Sequence, residues 1–384
     1  MSLRPCIVHV FQQLFLSHNS QIMNNVNESI SKLPPFVLSK LNVGMQPDSG
    51  FEEVLQLACN ENPYGPSTRV LAALNEAQCS TNRYPDSDGL RLKSQLAERL
   101  GISVFQITLG AGSSGVLDLI TKVTLSPNSE VIVDEYCFTL YPILVYAAHG
   151  KIVTVSAKNW KIDLSAMLGA ITPSTRLIFI TNPGNPLGTY TEHAELLAFL
   201  DALPPRIWVV LDEAYCEYVR NSSFPNSRQL CQEYPNVILT RTFSKVYGLA
   251  GLRVGYGLSS ENMCEMLNRI RPPFNVNSLA LAAAGAAFDD RVYVRECLEL
   301  NETGRAYFYR EFERMGLEYL DSQTNFITFN CGREAAPINT GLKKRGIFVR
   351  TLANYNLLNH LRVTIGLPEE NKRFVATIEQ ILLN

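Results

Sequence analysis

The sequence has no excess of charge of either sign and few histidines. Its 384 residues include 34 basic and 36 acidic side chains, and the formal net charge is −2. The basic residues do not cluster, so we expect no nucleic-acid partner. Only five histidines occur, and none has a Cys, Asp or Glu neighbour at the spacing of metal ligands. We therefore expect no metal site.

Long apolar runs are also missing. No stretch of about 18 apolar residues occurs, so we expect no membrane span. Residues 6–11 are apolar, but a histidine and the pair Gln12 and Gln13 interrupt them. A secretory signal needs a longer run and a cleavage site of small residues. We expect residues 1–28 to form a disordered leader.

The nine cysteines are scattered and form neither a CxxC pair nor a repeated spacing. An odd number of cysteines without the spacing of a disulfide framework is typical of free thiols in a reducing compartment. This predicts a cytoplasmic location. Apolar residues make up 46% of the chain, which is enough for a sizeable core. The length predicts two or three domains.

Short apolar runs alternate with helical stretches from Phe51 onward, as in βαβ units. Most runs are continuous and rich in Val and Ile, which predicts an α/β fold with a mostly parallel sheet covered on both faces. The predicted strands are 106–109, 130–133, 151–155, 177–180, 207–211 and 237–240. The predicted helices include 114–124, 192–200 and a long helix that begins at 280–288 and continues through 291–315.

The pattern changes after Met315 to short strands, at 325–329 and 361–365, and a closing helix from Glu369. This indicates a smaller α/β domain at the C-terminus. The predicted segments are a leader at 1–28, an N-terminal arm at 29–60, a large domain at 61–285 and a small domain at 286–384.

Glycines and polar residues follow several neighbouring strand candidates, at the edge where open parallel sheets bind ligands. Residues 110–115 are Gly-rich and precede a helix, and residues 182–188 form an Asn-Pro turn. Residues 212–215 contain an acid and a phenol, and residues 241–245 end on a lysine, with Arg253 close behind. Each motif alone has an ordinary structural explanation, such as a turn or a helix cap. Their coincidence favours one shared ligand.

Pyridoxal 5'-phosphate (PLP) accounts for the whole set, because it carries a phosphate, an aldehyde, a pyridine nitrogen and a phenolic oxygen. The residues predicted to hold the phosphate are Gly112, Ser113 and Ser114 at a helix start, with Thr242, Ser244 and Arg253. Asp212 suits the pyridine nitrogen, and Asn185 and Tyr215 suit the phenolic oxygen. Lys245 suits the imine and the later proton transfer at the substrate α-carbon.

The chain resembles the histidinol-phosphate aminotransferases, within fold-type I of the PLP enzymes, from about Ile30 to the C-terminus. The motifs that carry the resemblance are Asn-Glu-Asn-Pro-Tyr-Gly-Pro (60–66), Asn-Arg-Tyr-Pro (82–85), Asn-Pro-Gly-Asn-Pro-Leu-Gly (182–188), Asp-Glu-Ala-Tyr (212–215), Thr-Phe-Ser-Lys (242–245), Arg-Pro-Pro-Phe-Asn-Val-Asn (271–277) and Leu-Arg-Val-Thr-Ile-Gly (361–366). The resemblance implies transamination between L-histidinol phosphate and 2-oxoglutarate, a step of histidine biosynthesis. It also implies a homodimer with shared active sites.

On matching positions, the resemblance implies that the catalytic residues are Lys245, as the Schiff-base lysine, with Asp212 and Tyr215. It places Phe138 against the cofactor ring and Tyr84 on the phosphate of the neighbouring subunit. The substrate residues that it implies are Arg362, Arg350 and Asn62.

Four residues depart from the family pattern. Leu187 replaces a usual threonine that is not a cofactor contact, so we expect it to be tolerated. Ala111 and Gly115 replace polar residues where backbone amides bind the phosphate, so we expect binding to survive. Phe36 replaces a tyrosine of the arm that reaches the neighbouring substrate site, which bears on substrate identity.

Three other functions stay open at this stage. The same scaffold serves aminotransferases for phenylalanine or tyrosine, and Phe36 and Phe138 are compatible with them. A PLP-dependent decarboxylase of a phosphorylated amino acid would share the cofactor site. A non-catalytic PLP-binding sensor is disfavoured, because Lys245, Asp212 and Tyr215 are all present and no DNA-binding module precedes Ile30.

Overall fold

The structure, a computed structural model, describes Ile30, Leu33 and residues 54–383. The predicted leader, Phe36 and most of the predicted arm lie outside the described residues. No helix within residues 54–383 is long and apolar enough to cross a membrane.

The described part of the chain contains twelve strands and twelve α-helices. The strands are β1 (Leu55–Gln56), β2 (Ile107–Gly110), β3 (Glu130–Asp134), β4 (Lys151–Val155), β5 (Thr175–Thr181), β6 (Trp208–Asp212), β7 (Val237–Thr242), β8 (Gly255–Leu258), β9 (Phe326–Asn330), β10 (Ile347–Phe348), β11 (Arg350–Leu352) and β12 (Leu357–Thr364). The helices are α1 (Thr68–Ala77), α2 (Leu90–Leu100), α3 (Gly112–Thr124), α4 (Leu140–Ala147), α5 (Leu164–Gly169), α6 (His193–Ala202), α7 (Ser227–Glu233), α8 (Glu261–Ile270), α9 (Ser278–Asp289), α10 (Arg291–Met315), α11 (Ala335–Lys343) and α12 (Pro368–Leu383).

The central sheet has seven strands in the order β2-β8-β7-β6-β5-β3-β4. All neighbouring pairs are parallel except the two that β8 makes with β2 and β7. This confirms the predicted mostly parallel sheet. We call this sheet with helices α1–α9 the large unit.

The strand β8 is absent from the sequence prediction. It separates β2 from β7, so these two strand ends are not immediate neighbours as we expected, although both point to the same edge. Its sequence is Gly-Tyr-Gly-Leu, which is not an apolar run. A side chain at Gly255 would place its Cβ 2.4 Å from the amide nitrogen of Ser113. Glycine therefore lets the first turn of α3 approach the sheet closely.

Both faces of the central sheet are buried, and alternate residues of each strand supply the two faces. In β5, Ile178 and Ile180 pack in one apolar cluster, and Leu177 and Phe179 pack in another on the opposite face. Helices α6 and α9 contribute to the first cluster, and α3, α4 and α8 contribute to the second. These contacts explain why the strands appear in the sequence as continuous apolar runs.

A small unit is built from β1, the second half of α10, β9–β12 and helices α11 and α12. Strands β11, β12 and β9 form an antiparallel sheet, and β1 pairs in parallel with β10. The end of the predicted N-terminal arm therefore completes the small unit. Its core contains the rings of Phe308, Phe312, Phe329 and Phe374.

The long helix predicted from 280 to 315 is interrupted at Asp290. The Asp290 side chain accepts a hydrogen bond from the Tyr293 amide and caps α10, so the prediction of one continuous helix is wrong. The predicted domain boundary at 285/286 lies inside α9. Ala284 and Phe288, on either side of it, both pack in the core of the large unit.

Candidate active site

A cavity of about 350 Å³ lies at the carboxyl edge of the central sheet, where the small unit meets it. Residues from the ends of β5, β6 and β7 line one side, and residues of β11 and β12 line the other. Most of the predicted site residues meet here. They are Ser113, Ser114, Phe138, Asn185, Asp212, Tyr215, Thr242, Ser244, Lys245, Arg253, Arg350 and Arg362.

One end of the cavity gathers hydrogen-bond donors at the start of α3. The N-cap residue Ala111 makes no side-chain cap, so the first amides of the helix are left for a ligand. Arg253 Nη1 donates to Ser244 Oγ at 3.0 Å, and Thr242 Oγ1 donates to the same oxygen at 3.0 Å. Within residues 54–383, Arg253 makes no ion pair with a carboxylate. This end therefore suits a phosphate group.

Gly112 does not line the cavity, but it makes room for this arrangement. Its φ is +73°, and a Cβ placed on it would lie 2.4 Å from Arg253 Nη2. A side chain here would push the guanidinium away from the helix start. The departures at Ala111 and Gly115 lie at the N-cap and in the first turn of α3, where backbone amides are the groups available to a ligand.

Asp212 lies at the end of β6 with only 3% of its surface exposed. Its carboxylate accepts hydrogen bonds from Tyr141 Oη at 2.9 Å and from Thr240 Oγ1 at 3.1 Å. Burial nevertheless raises the pKa of Asp212 to about 6, although both hydrogen bonds lower it. A buried carboxylate without a cation beside it is suited to a protonated ring nitrogen from a ligand.

Lys245 follows β7 and reaches across the cavity. Its Nζ donates to the carbonyl oxygens of Cys59 at 3.3 Å and Asn60 at 3.2 Å, and lies 5.4 Å from the centre of the Tyr215 ring. No carboxylate in residues 54–383 forms an ion pair with it. The amine is thus held in place by neutral groups, which leaves it available for chemistry.

The Tyr215 hydroxyl is fixed by two amides. Asn60 Nδ2 donates to it at 2.9 Å, and Asn185 Nδ2 donates at 3.4 Å. Because both partners donate, the hydroxyl keeps its own proton for a group in the cavity. The Tyr215 ring is buried edge-on against Phe326 with a centroid distance of 5.3 Å.

Two arginines line the cavity at the end formed by β11 and β12. Arg350 of β11 and Arg362 of β12 are directly opposed cross-strand partners. Arg362 is 8% exposed; it donates to Ala58 O at 2.8 Å and to Asn185 Oδ1, but its Nε is buried without a partner. Opposed like charges destabilise a strand pair. Within residues 54–383 neither arginine has an acidic partner, so this end suits an anion.

Two predicted residues are not brought into the cavity. Asn62 donates to Val246 O at 2.8 Å and lines a separate groove, so its placement does not support a substrate contact. Tyr84 is 82% exposed and stacks on Phe274 at 4.4 Å, outside the cavity of its own chain. Leu187 does not line the cavity either, as expected.

Sequence reasoning missed several residues of the site, and three of them have clear structural roles. Asn60 holds Tyr215, Tyr141 holds Asp212, and Tyr355 lines the cavity wall and donates to Cys137 O at 3.0 Å. Asn60 begins the Asn-Glu-Asn-Pro-Tyr-Gly-Pro motif (60–66), and this motif is the sequence feature from which its role could have been predicted. Nothing in the local sequence distinguishes Tyr141 or Tyr355 from core aromatics.

Known proteins resemble this chain over most of its length. The family described as aminotransferase class I and II matches residues 52–378. Histidinol-phosphate aminotransferase 2 of Pseudomonas fluorescens is 46% identical over 355 residues, which is 92% of this chain and 96% of that protein. Histidinol-phosphate aminotransferase 1 of Nitrosococcus oceani is 44% identical, covering 92% and 95%.

A crystal structure of the same enzyme from Sinorhizobium meliloti, in complex with pyridoxal-5'-phosphate, has a TM-score of 0.85 and 31% identity, covering 94% of this chain and 98% of that one. These comparisons cover both units and the whole cavity. The chain belongs to the class I and II aminotransferases and, within them, to the histidinol-phosphate aminotransferase family.

Proposed function

We propose that the protein transfers the amino group of L-histidinol phosphate to 2-oxoglutarate, which gives imidazole-acetol phosphate and L-glutamate. The observation that carries this proposal is the opposed pair Arg350 and Arg362 in the cavity that also contains Lys245. A phosphate ester or a second carboxylate brings the negative charge that these guanidinium groups lack. The names of the relatives agree with this substrate.

The residues present fit PLP as the cofactor. Ser113, Ser114, Thr242, Ser244 and Arg253 would hold its phosphate, next to the amides left free at the start of α3. The buried carboxylate of Asp212, whose pKa of about 6 leaves it ionised near neutral pH, would hold the pyridine nitrogen in its protonated form. When bound, PLP supplies a carbonyl carbon that takes an amine and a ring that withdraws electrons from the substrate α-carbon.

Three other side chains would complete the cofactor site. Asn185 and Tyr215 would donate to the ring oxygen, and Phe138 would pack against the ring face. The Tyr215 proton is free for this because two amides already donate to its oxygen.

Lys245 is the residue that moves the proton at the substrate α-carbon. The carbonyl oxygens of Cys59 and Asn60 orient its Nζ, and no acidic side chain within residues 54–383 forms an ion pair with it. Arg362 and Arg350 orient the substrate by its anionic end. A planar guanidinium binds carboxylate and phosphate alike, which suits an enzyme that takes both substrates in turn.

The arginine pair also separates the proposed reaction from the main alternative. Phenylalanine or tyrosine brings a single carboxylate, whose one negative charge balances only one of the two guanidinium groups. A phosphate carries up to two negative charges and can contact both. The geometry therefore favours the phosphate ester over the aromatic amino acids.

A cytoplasmic location stays a prediction from cysteine usage.

The proposed assembly is a homodimer. Tyr84 does not line the cavity of its own chain; it is exposed and stacks on Phe274, which is exposed as well. A second copy of the chain placed on this aromatic surface would cover it and could receive the Tyr84 hydroxyl at its own phosphate end. Sedimentation of the purified protein would measure the mass of the assembly.

The substrate is tested by titrating the PLP-loaded protein with single amino donors and following the visible absorbance of the cofactor. L-Histidinol phosphate is expected to convert the cofactor to its amino form at a far lower concentration than L-phenylalanine or L-tyrosine, and L-glutamate is expected to do so as the second substrate. A preference for phenylalanine or tyrosine would overturn the proposal in favour of an aromatic aminotransferase. Release of carbon dioxide would indicate a decarboxylase.

A further inference from the structure

Strands β11 and β12 form one hairpin that carries both substrate arginines. The turn of this hairpin, at residues 353–356, leaves the small unit and reaches the large unit. Tyr355 Oη donates to the carbonyl oxygen of Cys137 at 3.0 Å. Cys137 directly precedes Phe138, which lines the cavity beside the cofactor residues.

The base of the same turn makes an apolar contact with the large unit. Leu352 and Leu357 are buried against Leu187, which is 4% exposed. Leu187 belongs to the Asn-Pro turn that also presents Asn185 to Tyr215 and Arg362. The departure from the usual threonine thus has a structural use, since a leucine fills this apolar cluster.

Aromatic side chains surround the contact. The ring of Tyr136 lies 6.4 Å from the ring of Tyr355 and 5.9 Å from that of Trp160. Trp160 in turn lies 5.5 Å from the ring of His360 on β12. Within residues 54–383, the turn of the hairpin is therefore held by the Tyr355 hydrogen bond and by these apolar and aromatic contacts.

We propose that Tyr355 is a positioning residue for the reaction, and that Leu187 is its apolar counterpart. The Tyr355 hydroxyl fixes the hairpin against Cys137, and so sets the position of Arg350 and Arg362 relative to Phe138 and Asn185. Because the Tyr355 hydroxyl is committed to a backbone carbonyl, it acts through the hairpin and not on the reacting atoms. Coupling of this kind is reciprocal, so an anion on the arginines also stabilises the segment that carries Phe138.

The identity of the anion rests on the proposed function, whereas the geometry of the hairpin does not depend on it. The positioning role of Tyr355 is tested with the PLP-loaded Tyr355→Phe protein, which keeps the ring and loses the hydroxyl. The KM for L-histidinol phosphate and the Kd of succinate, a non-reactive dicarboxylate, are expected to rise about fivefold, the effect of losing one ordinary hydrogen bond. The kcat is expected to change little. The visible circular dichroism of the cofactor is expected to change, because the Phe138 segment loses its anchor.

The matched control is Tyr319→Phe, which removes a hydroxyl that donates to Glu313 at 2.7 Å in the small unit. It is expected to leave all these measurements unchanged. A second variant, Leu187→Thr, is expected to raise KM and the succinate Kd in the same direction as Tyr355→Phe.

Two results would overturn the proposal. One is a Tyr355→Phe protein whose KM, succinate Kd and cofactor dichroism equal those of the unmodified protein. The other is a lower melting temperature with none of these changes, since that is the result of a merely structural contact. If the unmodified protein rejects histidinol phosphate but succinate binding still depends on Tyr355, the proposed substrate fails and the positioning role stands.

Discussion

Replacing Asp212 by asparagine is expected to stabilise the cofactor-free protein near neutral pH while impairing its use of PLP. The carboxyl is 3% exposed, and burial raises its pKa from 3.8 to about 6. Folding near neutral pH therefore places a carboxylate where very little of it is exposed to water. The difference between the two pKa values corresponds to about 3 kcal/mol of lost stability.

The sign of the effect follows from the protonation states. Well below pH 3.8 the carboxyl is neutral in both the folded and the unfolded chain, and the burial penalty is absent. The penalty grows as the pH rises and is complete above about pH 6. Asparagine carries no charge at any pH, and its amide oxygen can still accept from Tyr141. The gain in stability should therefore be fully present at about pH 8 and only about a third as large at about pH 4.5.

Thermal unfolding of the two cofactor-free proteins measures this difference. An unfolding entropy of about 2.1 cal/mol/K per residue over 384 residues converts 3 kcal/mol into an increase of roughly 4 °C. Asp201→Asn, at an exposed aspartate that accepts from Tyr234, serves as the control and is expected to show no such increase. An Asp212→Asn protein that is no more stable at about pH 8, or equally stabilised at both pH values, would refute burial of charge as the cause.

Three further changes test other parts of the site. Lys245→Ala is expected to abolish transamination with an unchanged far-ultraviolet dichroism spectrum, and retained turnover would remove Lys245 from its role. Gly112→Ala is expected to raise the Kd for PLP about tenfold or more, because the new Cβ meets Arg253 and the φ of residue 112 is positive. As a control, Gly169→Ala should leave this Kd unchanged, because nothing lies within 4 Å of the new Cβ. Tyr84→Phe is expected to weaken PLP binding across the dimer, and an unaltered Kd would count against a shared site.

The strands of the large unit could be located closely from the sequence because burial on both faces produces continuous apolar runs. The prediction for β4 matches the observed Lys151–Val155, and the other predicted strands of the central sheet differ by one or two residues at an end. Strand β8 could not be found this way, because its glycines are selected by the close approach of α3 and not by apolar burial. The break at Asp290 was missed because helical patterns flank it on both sides.

The cofactor end of the site was predictable because its residues follow strand ends within short motifs. The residues that orient them were not, since their contacts join distant parts of the chain. Asn60 and Tyr215 are 155 residues apart, and Tyr355 and Cys137 are 218 apart. Periodicity and spacing report on neighbours along the sequence, so such contacts become visible only once the fold is known.

The pairing of β1 with β10 has a consequence for how the chain folds during synthesis. Leu55 and Leu57 belong to the core of the small unit, yet the strands that cover them end near Thr364, about 300 residues later. Strand β1 must therefore wait for β10 and β12 until about 300 further residues have been made. Contacts of such long range slow folding and lengthen the time in which apolar surface can aggregate. The large unit can therefore be complete before the small unit forms its wall of the active site. Asn60 and Lys245 can take their final positions only after the residues around Thr364 have left the ribosome, because Asn60 is hydrogen-bonded to Thr364 and Lys245 to Asn60.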